Sequence, residues 1–130
     1  MTDCKRGDVV LVPYPFGERV GGKRRPALVI SSEEYHQATG ELIIAQITSR
    51  VSSPPRPGDY RIDGWREAKL LRPALVRARL ATLKTSLVLR RLGALTEGDF
   101  EGFAAGLLNV LDGHSQPKGS STITSSEMRP

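Results

Sequence analysis

Residues 87–113 read LVLRRLGALTEGDFEGFAAGLLNVLDG, and the hydrophobic period changes once within them. Leu87 to Leu92 reads as a segment of strand length. Beyond it, Phe100, Phe103, Ala104, Leu107, Leu108 and Leu111 recur at helical spacing on one face. Thr96 is placed to cap that helix, with Asp99 at its third position, and Gly113 is placed to end it. Glu97, Asp99 and Glu101 fall in the first turns, where the helix dipole favours negative charge. An amphipathic helix over about 96–113 therefore follows a strand.

Working back from that helix, the remaining chain reads as short strands separated by turn chemistry. Leu75 to Leu80 and Asp59 to Asp63 are strand-like, joined through Gly64-Trp65 and Leu71-Arg72-Pro73. The stretch from Ser52 to Gly58 holds three prolines and must be a loop. Leu42 to Ile47 and Ala27 to Ile30 are apolar runs typical of buried strands. Ser31 to Gly40, between them, reads as a loop with one helical turn. Gly17 to Arg25 is a polar, glycine-bearing loop. Val9 to Val12 forms the first strand, and Pro13 and Pro15 are expected to end its pairing. Many short strands and one terminal helix predict a mainly β fold. The expected architecture is a strongly bent sheet or partly open barrel of five to seven strands, capped by the helix. His114 to Pro130 is rich in Ser, Thr, Pro and Gly and is expected to be a disordered tail or cloning remnant. Residues 1–113 then form one domain.

Composition removes several function classes. The chain has 130 residues and a single cysteine, Cys4, so an intrachain disulfide and a Cys-based zinc site are excluded. No apolar run is long enough to span a membrane, and Met1 to Asp8 carry no signal-type run. A cytoplasmic protein with no membrane partner is expected. The net charge is +5, but its placement says more. Residues 50–91 carry eleven Lys/Arg against three acids, residues 92–112 carry four acids and no base, and residues 1–49 balance. A basic middle suits a polyanionic partner. It equally suits exposed strand faces solvated by arginine.

The chain lacks Gly-x-Ser-x-Gly, P-loop, Gly-x-Gly-x-x-Gly and His-Glu-x-x-His signatures. His36 sits in a loop without an evident orienting partner. Cys4 stands beside Lys5 and Arg6 with no partner base. Clustered carboxylates for a metal are missing from the middle of the chain. What remains is arginines and hydroxyls at strand ends. Lys23-Arg24-Arg25-Pro26 leads into a buried strand, and Pro26 biases Arg25 toward extended backbone. Thr48-Ser49-Arg50 lies where the third apolar strand runs out, at the rim of the expected barrel. If those two strands are antiparallel neighbours, Arg25 and Thr48 come side by side. A guanidinium fork beside a hydroxyl makes a phosphate site. The alternative is that Thr48-Ser49 cap a loop and Lys23-Arg24-Arg25 are solvated. Tyr14, Phe16 and Trp65 are either base-stacking platforms or barrel packing.

Five stretches together resemble the MazF/PemK toxins. They are Arg6-Gly7-Asp8-Val9-Val10, Arg25-Pro26-Ala27-Leu28-Val29-Ile30, Ile47-Thr48-Ser49, Leu80-Ala81-Thr82-Leu83-Lys84 and the amphipathic terminal helix. Their order and spacing carry the resemblance, from about Lys5 to Leu111. It implies an SH3-like barrel that forms a homodimer. It also implies a ribosome-independent endoribonuclease that cleaves single-stranded mRNA at short sequences, and a cognate antitoxin whose acidic tail fills the RNA groove. By the same resemblance Arg25 is the catalytic arginine and Thr48 its partner. No metal or cofactor is required if the RNA's own 2′-hydroxyl attacks the adjacent phosphate, leaving a 2′,3′-cyclic phosphate and a 5′-hydroxyl. Lys23, Arg24, Ser49, Arg50, Arg77 and Arg79 are the expected substrate contacts. The chain departs from some relatives, which carry an Arg-x-Asp pair where this one has Val76 and Ala78. A common glutamine is replaced by Arg79, and a common arginine by Ala81. The competing expectation is a non-catalytic module of the same fold. Such a module would bind nucleic acid or inhibit DNA gyrase, as CcdB-like proteins do.

Overall fold

A computed structural model of the chain describes residues 4–14 and 23–113. Val9, Val10, Val12, Ala27, Leu28 and Val29 are fully buried. Consecutive apolar residues leave neither strand face for water, so these strands lie centrally with both faces covered. They belong to β1 (Asp8–Tyr14) and β2 (Lys23–Val29). β3 (Glu41–Thr48), β4 (Tyr60–Arg61), β5 (Leu75–Lys84) and β6 (Arg90–Ala94) complete one sheet in the order β4-β5-β3-β2-β1-β6. Every pairing is antiparallel. The sheet curls into a half-barrel, as the mainly β expectation required.

Alternation along the strands sorts the core into two clusters. Val9, Leu28, Ala45 and Ile47 face one way and pack with Phe100 and Phe103. Val10, Val12, Ala27, Val29, Leu42 and Ile44 face the other way, with Leu87 and Val88 against them. Phe100 and Phe103 come from the terminal helix, α2 (Glu97–Asp112). Its ends are those the sequence predicts: Thr96 accepts from the Asp99 N–H, and Gly113 closes it at φ 75°. Burying a phenylalanine such as Phe103 stabilises the fold by roughly 1.5–3 kcal/mol. The predicted apolar face is buried only in its first half. Leu108 and Leu111 are 58% and 66% exposed, because α2 packs on β4 and β5 at the sheet edge and then runs past them.

Asp99 does more than start the helix. It is 3% exposed. Its carboxylate accepts the Tyr60 hydroxyl at 2.7 Å, the Gly64 N–H at 2.8 Å and the Asp63 N–H at 3.2 Å. The Tyr60 ring lies flat enough on α2 that a Cβ on Gly102 would collide with it. Burial alone would push the Asp99 carboxyl up. Those hydrogen bonds outweigh it and hold the group below the usual carboxylate range. The same bond to Asp99, followed by burial, pushes the Tyr60 phenol up to about 12.

Several boundaries differ from the expectations. The 31–40 segment holds a two-turn helix, α1 (Glu33–Thr39), capped by Ser32 and ended by Gly40 at φ 73°. β4 is two residues long rather than five, whereas β5 runs on to Lys84 because β3 pairs with it as far as Glu41. Leu87 ends a 3-10 turn (Thr85–Leu87), and β6 begins only at Arg90. β1 continues through Pro13 to Tyr14. Beyond Leu11 it is paired with β2 alone, so a missing N–H can be tolerated there. Lys23, Arg24 and Arg25 are strand, not loop. The rest of the expected first loop, with Pro15 and Phe16, lies outside the described residues, as does the expected tail at 114–130. No described helix is long and apolar enough to cross a membrane.

Candidate functional site

The β2–β3 ladder stops at Ala27 opposite Gln46. Pro26, the next residue in β2, has no N–H with which to extend it. Two further steps of the same register place Arg25 opposite Thr48. Both residues line a cleft of about 650 Å3 that opens where the pairing ends. The antiparallel neighbourhood of these strands thus brings the arginine and the hydroxyl to one rim.

β5 forms the facing wall through an irregularity. Ala45 pairs with Leu80 and Ile47 with Val76, so Gln46 alone opposes Arg77, Ala78 and Arg79. Two surplus residues bow the strand, a local distortion that re-aims side chains. Gly58 seats the preceding loop against this bow. A Cβ on Gly58 would lie 2.8 Å from the Ala78 Cβ and 3.0 Å from Val110, and its φ of 89° also suits glycine. The small Ala78 makes room for that loop, and Arg77 and Arg79 line the cleft. Val76, fully buried, belongs to the core.

The other walls bring further cations. Arg50 and Arg56 come from the segment after β3, Lys69 and Arg72 from the strap between β4 and β5, and Arg90 from β6. Seven of the eleven basic residues at 50–91 therefore line this cleft, with Arg25 as an eighth cation. Among the described residues no Asp, Glu or His lines it. Its floor is apolar, with Ile47, Leu70, Ala74 and Leu92 shared with the core.

Only two ion pairs occur among the described residues, Arg77–Asp59 and Arg91–Asp8. Among the described residues Arg77 is therefore the one cleft cation with a carboxylate partner. Asp59 is buried beside it, which would raise its pKa. The hydrogen bonds from Arg77 and from the Arg56 N–H reverse this and hold the carboxyl below its ordinary value. Arg25 lies over the Tyr14 ring at 5.4 Å, a contact that orients the guanidinium without neutralising it. The Thr48 Oγ1 accepts the Arg50 N–H at 3.2 Å. Thr48 thus caps the turn and lines the cleft at once, with its own O–H left to donate.

Of the expected contact residues, Ser49, Arg50, Arg77 and Arg79 line the cleft, whereas Lys23 and Arg24 do not and sit exposed at the start of β2. Arg56, Lys69, Arg72 and Arg90 were not singled out by motif, and their only signal was membership of the basic block. Tyr14 lines the cleft; Trp65 packs half-buried on the core with Arg66 over its ring at 4.4 Å. His36 has an orienting partner after all, away from the cleft. Its Nδ1 lies 3.1 Å from the Cys4 carbonyl and its Nε2 2.7 Å from the Ser31 Oγ. A carbonyl can only accept, so Nδ1 carries the proton and Nε2 accepts from Ser31. Ser31 in turn accepts the Ile43 N–H, tying the N-terminal segment to α1 and β3. Among the described residues no three His, Cys, Asp or Glu side chains gather to hold a metal ion.

Solved structures share this fold. MazF from Deinococcus radiodurans superposes with a TM-score of 0.66 at 23% identity, covering 88% of this chain and all of the other. The Mycobacterium tuberculosis toxin MazF-mt6 gives 0.66 at 19% identity, covering 81% of this chain and 96% of that one. An endoribonuclease in complex with its cognate antitoxin, from a mycobacterial species, gives 0.64 at 18% identity over 90% of this chain and all of that one. No curated protein matches the sequence. A family model matches residues 5–111, and by that match the chain belongs to the PemK-like, MazF-like toxins of type II toxin–antitoxin systems.

Proposed function

We propose that the chain is a ribosome-independent, metal-independent endoribonuclease that cleaves single-stranded mRNA in this cleft. The observation that carries the reading is that Arg25 and Thr48 line one cleft together with seven further cations and, among the described residues, no carboxylate. Such a surface attracts phosphates, and its apolar floor accepts unstacked bases better than a rigid duplex. The 2′-hydroxyl attacks the adjacent phosphorus and the bond to the 5′-oxygen breaks. The 2′-proton passes to solvent, since neither imidazole nor carboxylate lines the cleft among the described residues. Arg25 stabilises the phosphorane charge, and Thr48 donates its O–H to a non-bridging oxygen. The departing alkoxide is a stronger base than a neutral guanidine, so Arg25 can hand it a proton and recover one from water. The products are a 2′,3′-cyclic phosphate and a 5′-hydroxyl. Ser49, Arg50, Arg77 and Arg79 hold flanking phosphates. Lys23 and Arg24 extend the basic surface outside the cleft.

The same charge pattern fits a cognate antitoxin with an acidic tail, whose carboxylates would occupy the phosphate positions. A homodimer acting in the cytoplasm completes the reading. The test is cleavage of a long single-stranded RNA by Arg25→Ala in EDTA. Loss of a positioned charge-stabilising group costs on the order of a hundred- to a thousandfold in rate. Near wild-type cleavage by a folded Arg25→Ala protein refutes the assignment. Intact RNA from wild type, together with blocked supercoiling, assigns the fold to gyrase inhibition instead.

A further inference from the structure

The geometry points to Asp59 as a positioning residue that holds Arg77 ready to grip a phosphate of the bound strand. This inference rests on the reading of the cleft as an RNA-cleaving site. Arg77 has five N–H donors. Asp59 takes two of them side-on, Nε to Oδ1 at 3.0 Å and Nη2 to Oδ2 at 3.1 Å. Both side chains are close to buried, at 13% and 5% exposure. No described residue accepts from Nη1. The end-on edge next to the one Asp59 holds therefore keeps one Nη2–H and an Nη1–H parallel to it, on a residue that lines the cleft. Two parallel N–H groups on a planar edge match two oxygens of one phosphate.

Asp59 is itself fixed. Its Oδ2 accepts the Arg56 N–H at 2.9 Å, and its own N–H donates to the Arg56 carbonyl at 2.9 Å. Gly58 beside it is seated on Ala78 and Val110. Turn, carboxylate and guanidinium thus form one rigid support behind the bow in β5. An arginine free in solvent must give up side-chain freedom when it binds a phosphate; Arg77 has lost it before the substrate arrives. Arg79, two residues on, lines the same cleft without a carboxylate partner among the described residues.

Charge and position predict opposite outcomes for Asp59→Asn. As a charge, Asp59 opposes polyanion binding, so its removal should tighten the complex. As a support, its removal should release Arg77 and slow the chemistry. The expected result is a kcat on a short oligoribonucleotide lowered about ten- to a hundredfold. The affinity for the 2′-deoxy version of that oligonucleotide, which cannot be cleaved, should be unchanged or tighter. Arg77→Lys keeps a cation for Asp59 but loses the planar edge, so it should lower kcat by a similar factor. The double variant should be no slower than Arg77→Lys alone. Wild-type kcat in either folded single variant, or multiplied losses in the double, overturns the inference while leaving the cleavage reading intact. If Asp59→Asn does not fold, the kcat of Arg77→Lys decides. A wild-type protein that leaves RNA whole overturns both.

Discussion

At the helix end of the molecule a buried carboxylate, Asp99, is met by a hydroxyl and two backbone N–H groups from the β4 side. At the cleft end eight cations converge, and among the described residues one carboxylate, Asp59, answers only one of them. The first arrangement is closed: the charge is buried and met by dipoles supplied within the fold. The second is open, and its self-repulsion costs stability that an anionic ligand would return. The contrast separates scaffold from site without appeal to motif. A polar group whose partners are complete holds the fold; a set of like charges without partners waits for something to bind.

Substitutions can break this contrast from either side. The largest expected effect on folding is at Phe103, fully buried under α2. Phe103→Ala should cost about 3–5 kcal/mol in urea or thermal unfolding. Arg25→Ala, expected to abolish cleavage, should leave the unfolding midpoint within experimental scatter of wild type. A large drop in the Arg25→Ala midpoint would show that the cleft is scaffold after all.

Asp99→Asn comes next, at about 1–3 kcal/mol, because it leaves at least one buried donor poorly met. Its pH dependence has a defined sign. The folded carboxyl lies below its ordinary value, so the contribution of Asp99 is full above about pH 4. It is lost as pH falls through the folded value. The gap between wild type and Asp99→Asn should therefore be constant near neutrality and close in acid. Tyr60, raised to about 12, behaves oppositely. Its contribution holds below about pH 10 and fades as pH climbs toward 12. A gap that widens in acid would contradict the hydrogen-bonded carboxylate described here.

The smallest effect expected is at single cleft cations. Arg79→Ala should weaken binding of single-stranded nucleic acid about equally for all sequences. It should also reduce the slope of log K against log salt by about 0.7. An unchanged slope would mean that Arg79 meets no phosphate.

Much of the scaffold was legible because it obeys local rules. The 3.6 period of Phe100, Phe103, Ala104 and Leu107, with Thr96 and Gly113 at its ends, is an intrinsic helix signal, and α2 forms where that signal lies. The apolar runs Ala27 to Ile30 and Leu42 to Ala45 likewise announced buried strands. α1 was only half-anticipated, since two turns with no buried residue leave little periodicity to read. β4 and β5 missed their expected lengths because pairing, not propensity, sets where each ends.

The site divides in the same way. Arg25 beside Thr48 needed one assumption about strand pairing, which the antiparallel β2–β3 register satisfies. The Asp59–Arg77 contact spans 18 residues and depends on the bow in β5 and the seat of Gly58. Neither leaves a trace in spacing. Lys69, Arg72 and Arg90 reach the cleft only because the curled sheet carries the strap and β6 to it. Segment charge anticipated their presence and not their address. Leu71, 93% exposed on the cleft rim, gave no sign of its exposure, since its neighbour Leu70 packs in the core.

The central claim is that the cations of this cleft promote attack by the RNA's own 2′-hydroxyl. End-group analysis of a single-stranded transcript digested by the wild-type protein in EDTA tests it most directly. The account predicts fragments ending in 2′,3′-cyclic phosphate and beginning with 5′-hydroxyl. Fragments with 3′-hydroxyl and 5′-phosphate ends, or an intact transcript, would contradict it.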